Sequence, residues 1–388
     1  MVTPFWPQVR VLGIRFIFGF PKVSKILIFD TDGRTALQEQ FPWISKSEVL
    51  DVRKKTFYLS AIIALVGEPL FWQGSFYSAY KVAFIRQVKP KLVLTLNDNH
   101  EFFYKVSFFC KGVVTAFIQN SRRTDLNDIF ATLARHPAYR VDYMFVHNLC
   151  IGNQYSRYIQ GSIVPIGSFK NNLYLPVQDK DIQQDKSILF VSQWRSPKHF
   201  PIPAKDGTPV THNKFYRLDQ LLFNVVRRWC NINGVRLSVL LVNRINSPAL
   251  NSEISFYREL LGSNDECSLL ACETRQDAYS QLDAHSLTVT ISSTMGLESL
   301  ARGNRAAYFD LRKDCLKTTS DFGWPSNLSD TGPFWTSSID DKSIFDLLEF
   351  CISSEQEAWE AAIYQAKEIL MPYDPSNAIV SQILNIYR

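Results

Sequence analysis

The sequence predicts an α/β protein built from two doubly wound, parallel-sheet Rossmann-like domains facing across a cleft. Three observations predict it. Short apolar runs rich in β-formers alternate with helical stretches almost from end to end. Those runs carry little polar alternation, as expected of strands covered on both faces of a parallel sheet. One polar, charged stretch, PVQDKDIQQDK (176–186), has no apolar period and divides the series in two. At 388 residues the chain also exceeds what one core usually supports.

In the first half the predicted strands are KILIFD (25–30), EVLDVR (48–53), KLVLTLN (91–97), VVTAFIQ (113–119), YMFVH (143–147) and SIVPIG (162–167). Helical patterns lie near 69–88, 100–110, 124–135 and 150–160. After the linker the strands are SILFVS (187–192), RLSVLLV (236–242), CSLLA (267–271), LTVTIS (287–292) and RAAYFD (305–310). Their helices fall near 216–233, 251–262, 275–283, 295–302 and 341–371. The domains are therefore expected at 1–178 and 187–372, with a last amphipathic stretch at 373–388. In such sheets ligands sit beyond the C-terminal ends of the strands, so functional residues are sought there.

Composition narrows the class. Hydrophobic residues make up 46% of the chain, which argues for a filled core. The net charge of +5, from 42 basic and 37 acidic side chains, is mild and dispersed. It favours anionic ligands or an anionic membrane face over a nucleic-acid surface. The seven cysteines form no CxxC pair and no zinc-ligand spacing, so reduced thiols and a cytoplasmic location are expected. In the apolar N-terminus MVTPFWPQVRVLGIRFIFGF, Arg10 and Arg15 interrupt any signal core or membrane span. That segment would either pack on its own domain or rest peripherally on the inner face of a membrane.

The strongest local signal is VTISSTMGLESLARGNRAAYFD (289–310). A buried strand delivers Ser292, Ser293 and Thr294 to the start of a helix. Hydroxyls beside the unpaired N–H groups and positive dipole end of a helix suit a phosphate. Glu298, one turn in, could accept hydrogen bonds from a ribose diol. Equally, Ser293 or Thr294 could cap the helix with Glu298 completing a capping box.

This segment resembles the donor-binding region of GT-B glycosyltransferases, and most of all bacterial surface-carbohydrate (capsule and lipopolysaccharide) transferases. Its Ser-Ser-Thr is similar to the motif with which bacterial sialyl- and Kdo-transferases hold the phosphate of a CMP-sugar. The similarity extends to NDNHEFF, FIQNSRR, PIGSFKNN and ILFVSQWR. It implies a nucleotide-sugar donor, with CMP-linked Kdo or sialic acid preferred, a glycan or lipid-linked glycan acceptor, and no further cofactor. It also implies that no Asp-x-Asp metal is needed and that the last helix crosses back to the first domain. The chain departs from the pattern of those enzymes, an acidic-acidic-Gly motif in the first domain and a His-Pro after a strand in the second. The only His-Pro is His136-Pro137, before the linker, and the second domain instead offers LLVNRINSP. There Arg244 could meet a phosphate in place of histidine.

LTLNDNHEFF (94–103) ends a strand in Asn97, Asp98, Asn99, His100 and Glu101. Asp98 is the candidate catalytic carboxylate, as general base or as nucleophile, and His100 the alternative base. Capping of the next helix would account for Asp98 and Asn99 as well. FIQNSRRTD (117–125) supplies Gln119, Asn120, Arg122 and Arg123 for a donor carboxylate or an acceptor phosphate, unless it is a solvated basic turn. ILFVSQWRSP (188–197) supplies Gln193 and Arg195 as donor contacts, with Trp194 read as core.

KILIFDTDGRTAL (25–37) has the look of a haloacid-dehalogenase phosphatase motif, Asp-x-Asp-Gly-Thr, but Arg34 separates Gly33 from Thr35. No late acidic pair stands at an apolar strand tip to complete a magnesium site. It is read as the first strand and its loop. A UDP- or GDP-hexose transferase, a sugar-nucleotide epimerase, a glycerophosphotransferase and a non-catalytic binding partner remain as alternatives.

Overall fold

The computed structural model of the chain describes residues 8–388 apart from 12, 32, 52–55, 122, 124–132, 134–138, 178–185, 263–266 and 319–328, and apart from the side chains of 11 and 365–368. Arg122, most of the predicted 124–135 helix and most of the predicted linker lie outside the described residues. The chain divides into two units. The first comprises Met1–Asn120, Asp128–Leu173 and Asp374–Arg388, and the second Ser121–Asn127 and Tyr174–Tyr373.

The first unit holds six parallel strands, β1 (Ile26–Phe29), β2 (Glu48–Leu50), β3 (Leu92–Thr95), β4 (Val114–Ile118), β5 (Tyr139–Val146) and β6 (Ile159–Pro165). Their order is β2-β1-β3-β4-β5-β6. Every residue of β1 and β3 is buried, which is why ILIF and LVLT show no polar alternation. The predicted 69–88 helix is two, Pro69–Trp72 and Phe76–Val88, separated at Gly74 with φ 79°. Residues 8–17 are an antiparallel pair, Gln8–Val11 with Ile14–Ile17, and the latter strand pairs with Thr56–Tyr58. The helix Ala378–Asn385 buries Val380 and Leu384 in the core formed by Ile26, Leu92 and Ile118. Asn377 Nδ2 donates to the Phe169 carbonyl at 2.9 Å, which pins the end of the chain to this unit.

The second unit repeats the plan with β7 (Ser187–Val191), β8 (Arg236–Leu240), β9 (Ser268–Leu270), β10 (Leu287–Thr290), β11 (Ala306–Phe309) and β12 (Trp335–Thr336), again all parallel. The order is β9-β8-β7-β10-β11-β12, the dinucleotide-fold order in which the third strand of the series is at the edge. The two-residue β12 was not predicted, being too short to show a period. The predicted 341–371 helix breaks at Ser354, which has extended backbone (ψ 142°), into Asp341–Ser353 and Gln356–Leu370. The helix His212–Asn233 starts four residues earlier than predicted because Thr211 caps it, accepting from Lys214 N–H at 3.3 Å.

Candidate functional site

In the second unit the strand order reverses between β7 and β10. Ligands of doubly wound sheets collect beyond the strand ends at that point. The tips there are Ser192-Gln193 and Ser292-Ser293. Gln193 Oε1 accepts from Ser292 N–H at 3.2 Å and from Ser292 Oγ at 2.9 Å. Arg312, just past β11, donates to the same Gln193 oxygen at 2.8 Å and to Ser292 Oγ at 2.9 Å. Its other terminal nitrogen grips both oxygens of Asp219, at 2.6 and 2.7 Å, and the guanidinium lies 4.2 Å from the Phe215 ring centre. Burial pushes the Asp219 carboxyl above its ordinary range, against the pull of the Arg312 charge.

Sequence reasoning missed Arg312 and Asp219. A signal for Asp219 existed: it falls on the apolar face of the His212–Asn233 helix with Phe215, Leu222 and Val226. A charge on such a face calls for a buried partner. Glu253 was missed too. Fully buried, it accepts from Val242 N–H, Asn243 N–H and Asn243 Nδ2 at 2.8–3.0 Å, and from Ser192 Oγ, so it ties the tip of β7 to that of β8. Beyond these tips Arg195 and Arg244 are exposed.

The helix Thr294–Ala301 opens on this lattice. Ser293 is its N-cap, with Oγ accepting from Met295 N–H at 3.2 Å. Ser293 and Thr294 are half-buried. The helix lies close against β10: a Cβ on Gly296 would come 2.4 Å from Thr290 Cγ2, so the position demands glycine. Glu298 does not serve as expected. All of residues 296–301 are buried, which leaves position 298 no solvent side, and its carboxylate accepts from Tyr279 Oη at 3.1 Å. Burial, followed by the Glu298 charge, drives the Tyr279 hydroxyl well above its ordinary pKa.

In the first unit the order reverses between β1 and β3. The tips are Asp30 and Asn97. Asp30 is fully buried with φ 85°; it accepts from Asn97 Nδ2 at 2.7 Å and from Thr31 N–H at 2.6 Å. Asp30 after β1 and Gly33, with φ 74°, lead into the helix Arg34–Gln40, which starts directly after Gly33. Asp98 is 1% exposed, with Tyr155 Oη donating to its Oδ2 and Tyr104 Oη to its carbonyl, each at 2.5 Å. An acceptor hydroxyl reaches a carboxylate so enclosed only if Tyr155 yields.

His100 Nε2 lies 3.3 Å from the ammonium of Lys81, which is itself 4% exposed and sits 4.5 Å from the ring centres of Tyr77 and Phe102. Burial, reinforced by the Lys81 charge, lowers the His100 pKa to about 4. The ring is thus uncharged at neutral pH and a weak base. Asn99 is exposed. Gln119 is buried and accepts from His147 N–H at 2.9 Å, while Asn120 accepts from Lys170. Arg123 is 7% exposed, and Arg122 lies outside the described residues. The structure thus gathers Asp30, Asn97, His100 and Lys81 around the turn after β1, and it holds Asp98, Gln119 and Asn120 by separate partners.

Residues 116–388 match the family described as "putative O-antigen biosynthesis protein". No curated protein matches. Among solved structures the chain is similar to a "putative UDP-N-acetylglucosamine 2-epimerase" of Listeria monocytogenes, at 12% identity over 94% of this chain and 97% of that one, with a TM-score of 0.53. It is similar to the Methanocaldococcus jannaschii UDP-GlcNAc 2-epimerase solved with UDP-GlcNAc and UDP, at 10% identity over 93% and 99%, TM-score 0.52. It is also similar to Anabaena HepE solved with UDP and glucose, at 12% over 93% and 99%, TM-score 0.53. At these identities the likeness carries the fold, two Rossmann-like units in one chain. The expected link to surface carbohydrate stands on the family match. The expected Kdo- or sialyltransferase type draws no support from these matches.

Proposed function

The chain belongs to the family described as "putative O-antigen biosynthesis protein", and from that premise we propose that it is a sugar-nucleotide-dependent glycosyltransferase of surface-polysaccharide assembly. The observation that carries the reading is the lattice of Gln193, Ser292, Arg312 and Asp219 at the strand reversal of the second unit. It supports the reading by bracing Ser292, directly before the Ser293–Thr294 helix start, and phosphates bind at such helix starts in doubly wound sheets. Ser293 and Thr294 hydroxyls and the helix N–H groups would hold phosphate oxygens. The exposed Arg195 and Arg244 would add charge to stabilise the departing phosphate.

The preferred donor is a UDP-sugar, since two of the similar structures are described with UDP bound. A CMP-linked nonulosonate is the next candidate. A second reading, epimerisation of the sugar on its nucleotide, is favoured by the names of two of those structures.

Thermal unfolding of the purified chain against UDP, CMP, GDP and their sugars tests the proposal. A ligand at about a hundred times its dissociation constant adds about 2.7 kcal/mol, or roughly 5–10 °C for a unit of this size. The expected result is a selective uridine shift that Ser293→Ala removes. A cytidine shift would replace the donor, and no shift with any nucleotide would sink the reading. Incubation with UDP-GlcNAc alone then separates the two chemistries. An epimerised sugar nucleotide without acceptor identifies an epimerase, whereas release of UDP that waits for a glycan acceptor identifies a transferase.

A further inference from the structure

Every exposed phenylalanine and tryptophan among the described residues lies in the first unit before residue 110: Phe18, Phe20, Trp72, Phe76 and Phe108, at 43–74% exposure. Hydrogen bonds join the segments of Phe18, Phe20, Trp72 and Phe108. Ser60 Oγ donates to the Gly19 carbonyl at 2.6 Å, which ties the Phe18–Phe20 turn to the helix Leu59–Ala64. Trp72 Nε1 donates to the Val66 carbonyl at 2.9 Å. Arg86 links Glu68 at 2.8 Å with the Phe109 carbonyl at 3.0 Å, across the mouth of a cavity of about 540 Å³ lined by Leu70, Lys89, Phe108 and Lys111.

This cavity stands at the N-terminal ends of β3 and β4, opposite the tips that carry Asn97 and Asp98. The same end is basic. Lys22, Lys25, Lys89, Lys91 and Lys111 are all exposed. Lys91 N–H donates to the Lys25 carbonyl and Lys91 accepts from Val114 N–H, so the lysines line adjacent strand starts. Among the described residues, no acidic side chain pairs with Lys89, Lys91 or Lys111; the cavity's one carboxylate, Glu68, is taken by Arg86.

We propose that this face docks the protein on an anionic lipid bilayer. Exposed aromatic rings suit the interface between headgroup and acyl chain, and clustered lysines suit an anionic headgroup layer. A protein partner or a second copy would have to offer a matching acidic, apolar surface. Four exposed rings, Phe18, Phe20, Trp72 and Phe108, gather here with lysines around them, so self-association through this face would set like charges against each other.

The test is sedimentation of the full chain with vesicles of phosphatidylcholine alone and with one third phosphatidylglycerol. Binding is expected only with the anionic lipid. Lys89→Gln with Lys111→Gln should lower the partition about twenty-five-fold, at about fivefold per lysine. Trp72→Ala with Phe108→Ala should weaken it as well; all four positions are exposed, so melting temperatures should be kept. Brominated acyl chains should quench the wild-type tryptophan fluorescence, and Trp72→Phe should lose most of that quenching. The proposal is overturned by equal binding to neutral vesicles, by no binding at all, or by variants that bind like wild type. It is overturned equally by a dimer in light scattering that these substitutions dissociate.

Discussion

Replacing Arg312 by methionine tests whether the second unit's strand tips are held by a buried ion pair. Asp219 is 5% exposed and Arg312 7%, and the pair is closed by two hydrogen bonds of 2.6 and 2.7 Å. Methionine fills the space beside Phe215 but leaves the carboxylate without a counter-charge. Removing one member of a buried pair costs about 3–5 kcal/mol. At about 2–4 °C per kcal/mol, the melting temperature of this unit should fall by about 6–20 °C at pH 7. Burial already raises the Asp219 pKa, and losing Arg312 raises it further. A carboxyl whose folded pKa is raised lends stability below its unfolded pKa, near 3.9, and loses it as pH climbs through the folded value. The deficit of Arg312→Met should therefore shrink on going from pH 7 to pH 5. Adding Asp219→Asn should recover much of it at pH 7, where no charge is then buried. Circular dichroism melts of wild type, single and double variants at both pH values decide the matter. A single variant within a degree of wild type at pH 7, or a double variant no better than the single, would refute the ion-pair account.

Three further outcomes are expected. Gly296→Ala would press a methyl to 2.4 Å from Thr290 Cγ2, so it should cost about 1–3 kcal/mol in urea unfolding and reduce the nucleotide-induced shift by tilting the Thr294–Ala301 helix. His100, with a folded pKa near 4, binds its proton in the unfolded chain first as pH falls through about 6.5. Its share of the stability lost between pH 7 and pH 5 should be about 1–2 kcal/mol, and His100→Gln should shrink the fall in urea midpoints between those pH values by that amount, leaving the share of the half-buried His285. Leu384→Ala, at a fully buried site of the first unit's core, should cost about 2–5 kcal/mol in that unit's melting while leaving a nucleotide shift of the second unit intact.

The parallel sheets were legible because their central strands are short runs buried on both faces, such as ILIF and LTVT, bracketed by polar tips. Strand ends were less so. β5 starts at Tyr139, four residues before the predicted YMFVH, because Asp142 sits mid-strand with Arg140 exposed and breaks the apolar run. Its carboxylate is spent on Thr115 N–H of the neighbouring strand at 2.8 Å, a pairing no local pattern announces. Residues at the strand tips divide the same way. The placement of Gln193, Ser292 and Ser293 was legible because position after a strand is a property of the sequence. Arg312, Asp219 and Glu253 were not, because their value lies in spanning tips that the chain reaches 20, 93 and 61 residues apart.

That division also explains why the two units differ in what their tips offer. In the second, Arg312 pairs with Asp219 and reaches the tips of β7 and β10, while Glu253 separately ties the tip of β7 to that of β8. Toward solvent, the half-buried Ser293 and Thr294 and the exposed Arg195 and Arg244 are groups that favour an anion. In the first, the carboxylates are the buried groups: Asp30 is held by Asn97 and Thr31, and Asp98 by Tyr155. A carboxylate engaged in this way orients its neighbours more readily than it takes a proton from a substrate. A polar cluster at a strand tip is thus equally good evidence for a binding surface and for an internal brace. What separates the two is whether its hydrogen bonds close among themselves. By that criterion the second unit's Ser293–Thr294 helix start is the place to look for a ligand, and Asp98 is a brace until Tyr155→Phe is shown to change turnover without changing stability.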